Sequence, residues 1–284
     1  MQMENWRRLV ARSGVAKLVA KAIWPCGKRT AIQGGPLKNA AIMVPPFSGG
    51  QAYRSGRYES DVVALLWDVL PLVGCSAFYD LGAHVGYFSL VADRGCGGKA
   101  KIHAFEPTAG AFTCLARNLG TLCTGRFEVH NFAVSNLTGR ASFVGEDGQV
   151  GSGLADGRPD HYASRRFREV RTTTLDHSVF ARGMEPPSVI KMDVEGAEYH
   201  VLLGAARVLR EHAPLWIVES HTTELHTKVT GHLSDFGYRC FDLALNPPGV
   251  RTLALSGDDL AACSDLIEHY CESGALVSCG TQLR

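Results

Sequence analysis

An excess of charge of either sign is missing from this chain: 29 Lys and Arg stand against 28 Asp and Glu, a net charge of +1 over 284 residues. That balance gives no electrostatic case for nucleic acid as the main partner, and none is expected. Paired cysteine motifs are missing too. Nine Cys are scattered between Cys26 and Cys279, with no Cys-x-x-Cys. An odd count in that arrangement argues against a disulfide framework and a zinc ribbon. The thiols read as small buried hydrophobes or idle surface groups in a reducing compartment. No metal site is expected. Apolar runs long enough to span a membrane are also lacking. Arg12, Lys17 and Lys21 interrupt what would be a signal-peptide core, so a cytoplasmic protein is expected.

What is present is ordinary globular composition, 45% hydrophobic and 20% charged, suited to one large domain or one domain with appendages. Val10, Val15, Leu18, Val19 and Ile23 alternate with basic residues as in an amphipathic helix. Such a helix packs on the main domain, closes over the substrate, or rests on a membrane surface. The first of these is favoured and the lid comes second. Residues 1–57 are therefore read as a helical N-terminal extension or lid, with a Gly- and Pro-rich linker over Gln33–Gly56.

Beyond it, Val62, Val63, Leu65, Leu66 and Val69 predict a helix over 60–70. Strands and helices then alternate: strands at 77–81, 101–106, 127–134, 170–175, 188–192, 215–219 and 238–245, and helices at 85–94, 108–119, 196–211 and 223–236. Five glycines between Gly145 and Gly157 mark a mobile loop. Alternation of this kind predicts a doubly wound, mostly parallel sheet, whose ligands lie at the carboxyl ends of the strands. Those ends are Asp80, Glu106, Ala133, Asp193 and Glu219.

After the first of these strands comes Asp80-Leu81-Gly82-Ala83-His84-Val85-Gly86-Tyr87-Phe88-Ser89. One more absence matters here. The Gly-x-Gly-x-x-Gly that seats a pyrophosphate on a helix N-terminus is not present. S-adenosylmethionine (SAM) carries an ammonium, a carboxylate and a sulfonium but no phosphate, and an acid at Asp80 suits its positive end. Glu106, 24 residues after Gly82, is placed to accept hydrogen bonds from both ribose hydroxyls, as NAD and SAM alike require. Taken singly, Asp80 reads equally as a turn acid and Glu106 as a capping acid before Pro107; in register with two strands they read better as a cofactor site.

The string Phe78–Leu90 resembles the first motif of the FkbM family of SAM-dependent methyltransferases. So do His103-Ala104-Phe105-Glu106-Pro107, Val189–Glu198 with its Lys-x-Asp-Val-Glu-Gly-x-Glu, Val201–Ala205, and Ile217-Val218-Glu219-Ser220-His221; Tyr58-Glu59 and Thr173–Asp176 also match. The resemblance covers roughly Tyr58 to Leu245. It implies a class I methyltransferase fold, Rossmann-like, with a seven-stranded mostly parallel sheet whose last strand runs antiparallel. It implies SAM as methyl donor and a hydroxyl acceptor on a sugar or natural product. The methyltransferase domain is placed at 58–246, with 247–284 as a C-terminal extension packed on it. Carried over by position, cofactor contacts come from Asp80, Gly82, Ala83, His84, Gly86, Tyr87, Ser89, Glu106, Pro107, Ala133 and Asp193. His84 departs from the family, which commonly carries Asn there.

Methyl transfer is an in-line displacement in which positioning supplies much of the rate, and a neutral alcohol needs a base or a metal. Asp193 and Glu219 end adjacent strands, and His221 lies two residues further on. His221 is read as general base, oriented by Asp193 or Glu219, with Glu195 a further candidate; Glu198 is assigned to helix capping. A divalent ion on Asp193, Glu219 and His221 is the less favoured rival. An N-methyltransferase, a dinucleotide-dependent oxidoreductase and a non-catalytic binding module are the remaining alternatives. The acceptor pocket is expected among the N-terminal segment, the 145–157 loop and the tail beyond Asn246, with Arg57, Arg158, Arg165 and Arg166 as candidate anion contacts. A homo-oligomer is left open.

Overall fold

The computed structural model of the chain describes residues 28–45, 50–144, 153–154, 167–244 and 250–279. Strands β1 (Lys28–Ala31) and β2 (Ala41–Val44) form an antiparallel hairpin, followed by α1 (Gly50–Ser55) and α2 (Ser60–Leu72). Where the sequence predicts a linker and a helical extension, the described residues thus hold a hairpin and one short helix. Ile42 and Val44 are fully buried, and that anchoring is invisible in the Gly- and Pro-rich composition around them. The amphipathic stretch near the N-terminus lies outside the described residues, as do Arg158, Arg165 and Arg166 and most of 145–157. Arg57 is described and exposed.

In α2 the buried side chains are Val62, Val63, Leu65, Leu66, Val69 and Leu70. Each contributes about 1.5–3 kcal/mol on full burial. Strand and helix then alternate through β3 (Ala77–Leu81), α3 (Tyr87–Gly95), β4 (Lys101–Phe105), α4 (Ala109–Leu122) and β5 (Phe127–His130). The strand expected over 127–134 is broken in two. Asn131 donates from Nδ2 to the carbonyls of Glu106 and Pro107 at 2.9 and 3.1 Å, and the chain turns there. Beyond the break, β6 (Ala133–Val134), β7 (Gly139–Val144), β8 (Gly153–Leu154) and β9 (Phe167–Thr173) build a separate sheet in the order β6-β9-β7-β8. Ala133 therefore belongs to this small sheet and not to the main one.

A π-helical turn (His177–Ala181) leads to β10 (Val189–Met192), α5 (Glu198–Leu203), α6 (Ala206–Glu211), β11 (Leu215–Ser220), α7 (Thr223–Asp235), β12 (Arg239–Leu243), β13 (Val250–Leu255), α8 (Gly257–Ala262), α9 (Ser264–Glu272) and β14 (Leu276–Ser278). The single helix expected over 196–211 is two. Gly204 sits between them, against the carbonyl of Ser135, where a Cβ would approach to 2.3 Å.

The central sheet has the order β14-β12-β13-β11-β10-β3-β4-β5. Strands β11, β10, β3, β4 and β5 are parallel, while β13 runs antiparallel to both β11 and β12. The expected mostly parallel sheet with a late antiparallel strand is present, but with eight strands instead of seven. The short edge strand β14 is the addition, paired antiparallel with β12. The antiparallel strand itself, β13, lies beyond residue 246 and completes the sheet, so the expected domain boundary at 246/247 falls within it. Side chains alternate between two cores. Phe78 and Val189 join one with α2, α3 and α4; Tyr79, Leu81, Ile190, Met192 and Trp216 join the other with α5, α6 and α7.

Candidate active site

The loop after β3 is held by backbone geometry that few residues tolerate. Gly82 has φ 80°, and a Cβ there would lie 1.8 Å from the carbonyl oxygen of Asp193. The loops after β3 and β10 touch at this point, so only glycine fits. His84 is left-handed as well, with φ 47°. Short polar residues such as Asn, Asp and His reach that region most readily. A histidine is therefore compatible with this backbone, as an asparagine would be. The His84 N–H donates to Glu106 Oε2 at 3.0 Å, and its Nδ1 lies 3.0 Å from the Tyr53 hydroxyl on α1.

Glu106 follows β4. Its Oε1 accepts from the N–H and hydroxyl of Thr108 at 2.7 and 2.6 Å, so the carboxylate is locked in one orientation. It faces a cleft that encloses about 690 Å³ of space, part of it open to solvent. Tyr58, Gly82, His84, Glu106, Pro107, Phe132, Ala133, Asp193 and Glu195 are among its lining residues.

Five residues expected to contact a cofactor do not line this cleft. Asp80 is buried and accepts from the Ser89 hydroxyl at 2.6 Å, so the pair ties β3 to α3. Burial raises the Asp80 pKa, against the pull of Lys191 and the Ser89 bond. Ala83 is buried and donates its N–H to Phe105. Gly86 is the left-handed residue that starts α3, packed against Leu115 and Leu119. Tyr87 is buried among Tyr53, Tyr58 and Phe88. These residues shape the loop from behind.

The other end of the cleft is strongly acidic. Lys191, buried on β10, reaches Asp193 Oδ2 at 3.2 Å and lies 4.5 Å from the centre of the Phe88 ring. Burial disfavours its charge, but Asp193, Glu59, Asp80 and Glu219 outweigh that and hold its pKa above the ordinary lysine value. Arg251 on β13 contacts Asp61 at 3.0 Å, Glu219 at 3.3 Å and Glu59 at 3.7 Å. Two cations thus face Glu59, Asp61, Asp80, Asp193 and Glu219. The surplus of carboxylate has a direct consequence. Burial, with Asp193 and Glu59 nearby, pushes Glu219 up to about 7 against Lys191 and Arg251. Glu59 is raised likewise, by burial first.

His221 sits just past the end of β11. Its Nδ1 lies 2.9 Å from Oε1 of Glu198, which is fully buried. Its Nε2 is 3.1 Å from Glu195 Oε2 and 3.5 Å from Asp193 Oδ1. Glu195 is left-handed, φ 56°, a strained backbone of the kind that collects at functional sites. The acid at His221 Nδ1 is Glu198 and not Glu219; the same Glu198 oxygen also accepts the Gly196 N–H at 3.0 Å, in line with the capping role read from the sequence. Strand alternation stops at Ser220, so Glu219 and His221 do not share a direction; Glu219 turns to Arg251, its register partner. Asp193 stands between the two groups. Asp193, Glu195 and His221 each place one donor atom within 4.8 Å of the others, as do Glu59, Asp193 and Glu219; either set has the donors for a divalent cation.

Residues 80–240 match the family profile described as the methyltransferase FkbM domain. The chain belongs to the FkbM methyltransferase family. This membership removes the dinucleotide-dependent oxidoreductase from consideration. The hexuronic acid methyltransferase AglP of Haloferax volcanii is 28% identical over 182 residues, which cover 64% of this chain and 70% of that protein. Methyltransferase FkbM from Methylobacillus flagellatus KT is 20% identical with a TM-score of 0.49, covering 63% of this chain. The matched part spans 43% of that structure's length. An O-methyltransferase from Bacillus cereus, solved in complex with SAH, is 11% identical with a TM-score of 0.42 over 69% of this chain and 80% of its own. Among the described residues no helix is long and apolar enough to cross a membrane.

Sequence reasoning missed Lys191, Glu198 and Arg251 as parts of the site. Lys191 carried a readable signal, a charged residue inside the otherwise apolar Val189–Met192. Arg251 carried none, because its partners are distant in the chain.

Proposed function

We propose that this methyltransferase transfers a methyl group from SAM to a hydroxyl of a small molecule or glycan, with sugar acids the first acceptors to test. The observation that carries the reading is His221, fixed at Nδ1 by buried Glu198 with its Nε2 turned to Asp193 and Glu195 at the cleft. The Haloferax relative, a hexuronic acid methyltransferase, supports the acceptor class.

The residues present fit SAM. Glu106 presents a locked carboxylate to the cleft for ribose hydroxyls. The carboxylate surplus around Asp193 suits an ammonium or sulfonium, and no phosphate cradle competes. When bound, SAM supplies a methyl group on a sulfonium leaving group. The chain's own task is to orient the acceptor and take its proton. In the neutral tautomer with Nδ1–H on Glu198, the acceptor hydroxyl enters between Nε2 of His221 and the Glu195 carboxylate, and Nε2 accepts its proton as the oxygen forms its bond to the methyl carbon. Asp193 and Glu195 balance the imidazolium that forms.

A second reading places a divalent ion on Asp193, Glu195 and His221 as the agent that lowers the hydroxyl pKa. The observation favouring it is the convergence of two carboxylates on one imidazole nitrogen. Incubation with SAM and a uronic acid acceptor, read by mass spectrometry, is expected to add one methyl group in the presence of EDTA. Loss of that product with EDTA and its return with Mg²⁺ or Mn²⁺ selects the metal reading. No methyl gain on any hydroxylated acceptor, but gain on amines, overturns O-methylation.

A further inference from the structure

Away from the cleft, three elements distant in sequence converge on one point. His226 lies on α7, in helical register with Val229 and Leu233, which bury that face against the sheet. Asp242 lies on β12. Cys279 follows β14, and its N–H donates to the Cys240 carbonyl at 2.8 Å. This continues the antiparallel pairing of β12 with β14 and sets Cys279 opposite Cys240. Cys240 and Asp242 are two apart on one strand and share a face, so the Cys279 side chain emerges on the same face as Asp242.

His226 Nε2 is 3.2 Å from Asp242 Oδ2. One donor atom from each of His226, Asp242 and Cys279 lies within 4.8 Å of the other two. A tetrahedral zinc with bonds of about 2.0–2.3 Å separates its donor atoms by roughly 3.3–3.8 Å, so small side-chain adjustments suffice. Outer contacts are in place. The Thr252 hydroxyl donates to Asp242 Oδ1 at 2.8 Å and lies 3.4 Å from His226 Nδ1. Both first ligands are thereby oriented by one residue of β13, as supporting groups around metal sites do. All three ligands are partly exposed, which leaves an entry path and a fourth position for water.

We propose that His226, Asp242 and Cys279 form a zinc site. Thiolate, imidazole and carboxylate select a borderline-soft ion over Mg²⁺ or Ca²⁺. A thiolate and a carboxylate together neutralise the divalent charge. On binding, the Cys279 S–H bond breaks, its proton goes to solvent, and the sulfur bonds to zinc. The consequence is positional. His226 N–H donates to the carbonyl of Thr222 in the first turn of α7, and His221 directly precedes Thr222. Zinc pins that turn, and with it His221, to the edge of the sheet formed by β12 and β14.

The test uses the full chain, stripped with chelator under reducing conditions and reloaded with Zn²⁺ or Co²⁺ alone. Elemental analysis is expected to find about one zinc per chain, and the Co²⁺ form to show thiolate-to-cobalt charge-transfer absorption. Cys279→Ser, Asp242→Asn and His226→Gln are each expected to weaken binding at least tenfold. His221→Gln and His130→Gln are expected to retain it, which separates this site from the Asp193–Glu195–His221 cluster and from His103, Glu128 and His130, whose donor atoms also lie within 4.8 Å of one another. A wild-type chain that binds no zinc overturns the proposal. So does cobalt binding without thiolate absorption, which needs no variant to fold. A Cys240–Cys279 disulfide, seen as a mass deficit of two hydrogens in the reduced preparation, overturns it as well.

Discussion

At the scale of single residues, the cleft is governed by where protons and charges are held. His221 has one nitrogen fixed on Glu198 and the other presented to carboxylates. Removing it is expected to lower kcat by roughly 10²–10⁴-fold, the usual worth of a general base. Glu198→Gln keeps the size but loses the charge that orients the ring, and an intermediate loss is expected. Steady-state kinetics on His221→Ala that retain more than a third of kcat would remove His221 from this role. Glu219 makes a separate prediction about pH. Its folded-state pKa of about 7 lies above its ordinary 4.5. The folded state therefore favours the protonated form. The stability this contributes is fully present below pH 4.5 and is lost as pH rises through about 7. Urea denaturation at several pH values is expected to show stability from this group falling across that window. Glu219→Gln, which stays neutral, is expected to flatten the slope; an unchanged slope would mean that other groups set it.

At the scale of elements, the loops after β3 and β10 form the site by touching. Gly82→Ala places a methyl group 1.8 Å from the Asp193 carbonyl, on a backbone with φ 80°. The loops must separate, which moves Asp193 and distorts the His84–Glu106 bond. A loss on the order of 3–4 kcal/mol is expected, measured as a lower urea midpoint, together with a higher KM for SAM. Wild-type stability in this variant would show that the contact is not tight. Gly204 poses a milder version of the same problem, since it separates α5 from α6 by resting on the Ser135 carbonyl. A sequence can suggest that such a glycine matters, but not which carbonyl it meets.

At the scale of the whole molecule, the cleft lies between the carboxyl ends of the parallel strands and the small β6-β9-β7-β8 sheet. Phe143 of β7 and Leu154 of β8 line it from that side. A ligand bridging these parts stabilises the whole chain by mass action, about 2.7 kcal/mol at one hundred times its Kd. Thermal unfolding is accordingly expected to shift upward with SAM or SAH and to stay unchanged with NAD. A shift with NAD alone would contradict the reading of this carboxylate-rich cleft as a SAM site.

The primary sequence by itself determined the alternating architecture and placed the loop at 80–89, Glu106, Asp193 and His221 at or just beyond strand ends. Each rests on local information: apolar periodicity, glycine spacing, and motifs a few residues long at strand ends. Only the tertiary structure decided the rest. It moved Asp80 and Ser89 behind the loop, gave His221 to Glu198, bound Arg251 to Glu59, Asp61 and Glu219, and inserted β13 between β11 and β12. It also brought Cys279 to His226 and Asp242, three positions that no motif links. The physical reason is common to all of these. Side-chain partners are chosen by register and by which face of a sheet or helix is buried, and residues far apart in the chain carry no local mark of meeting.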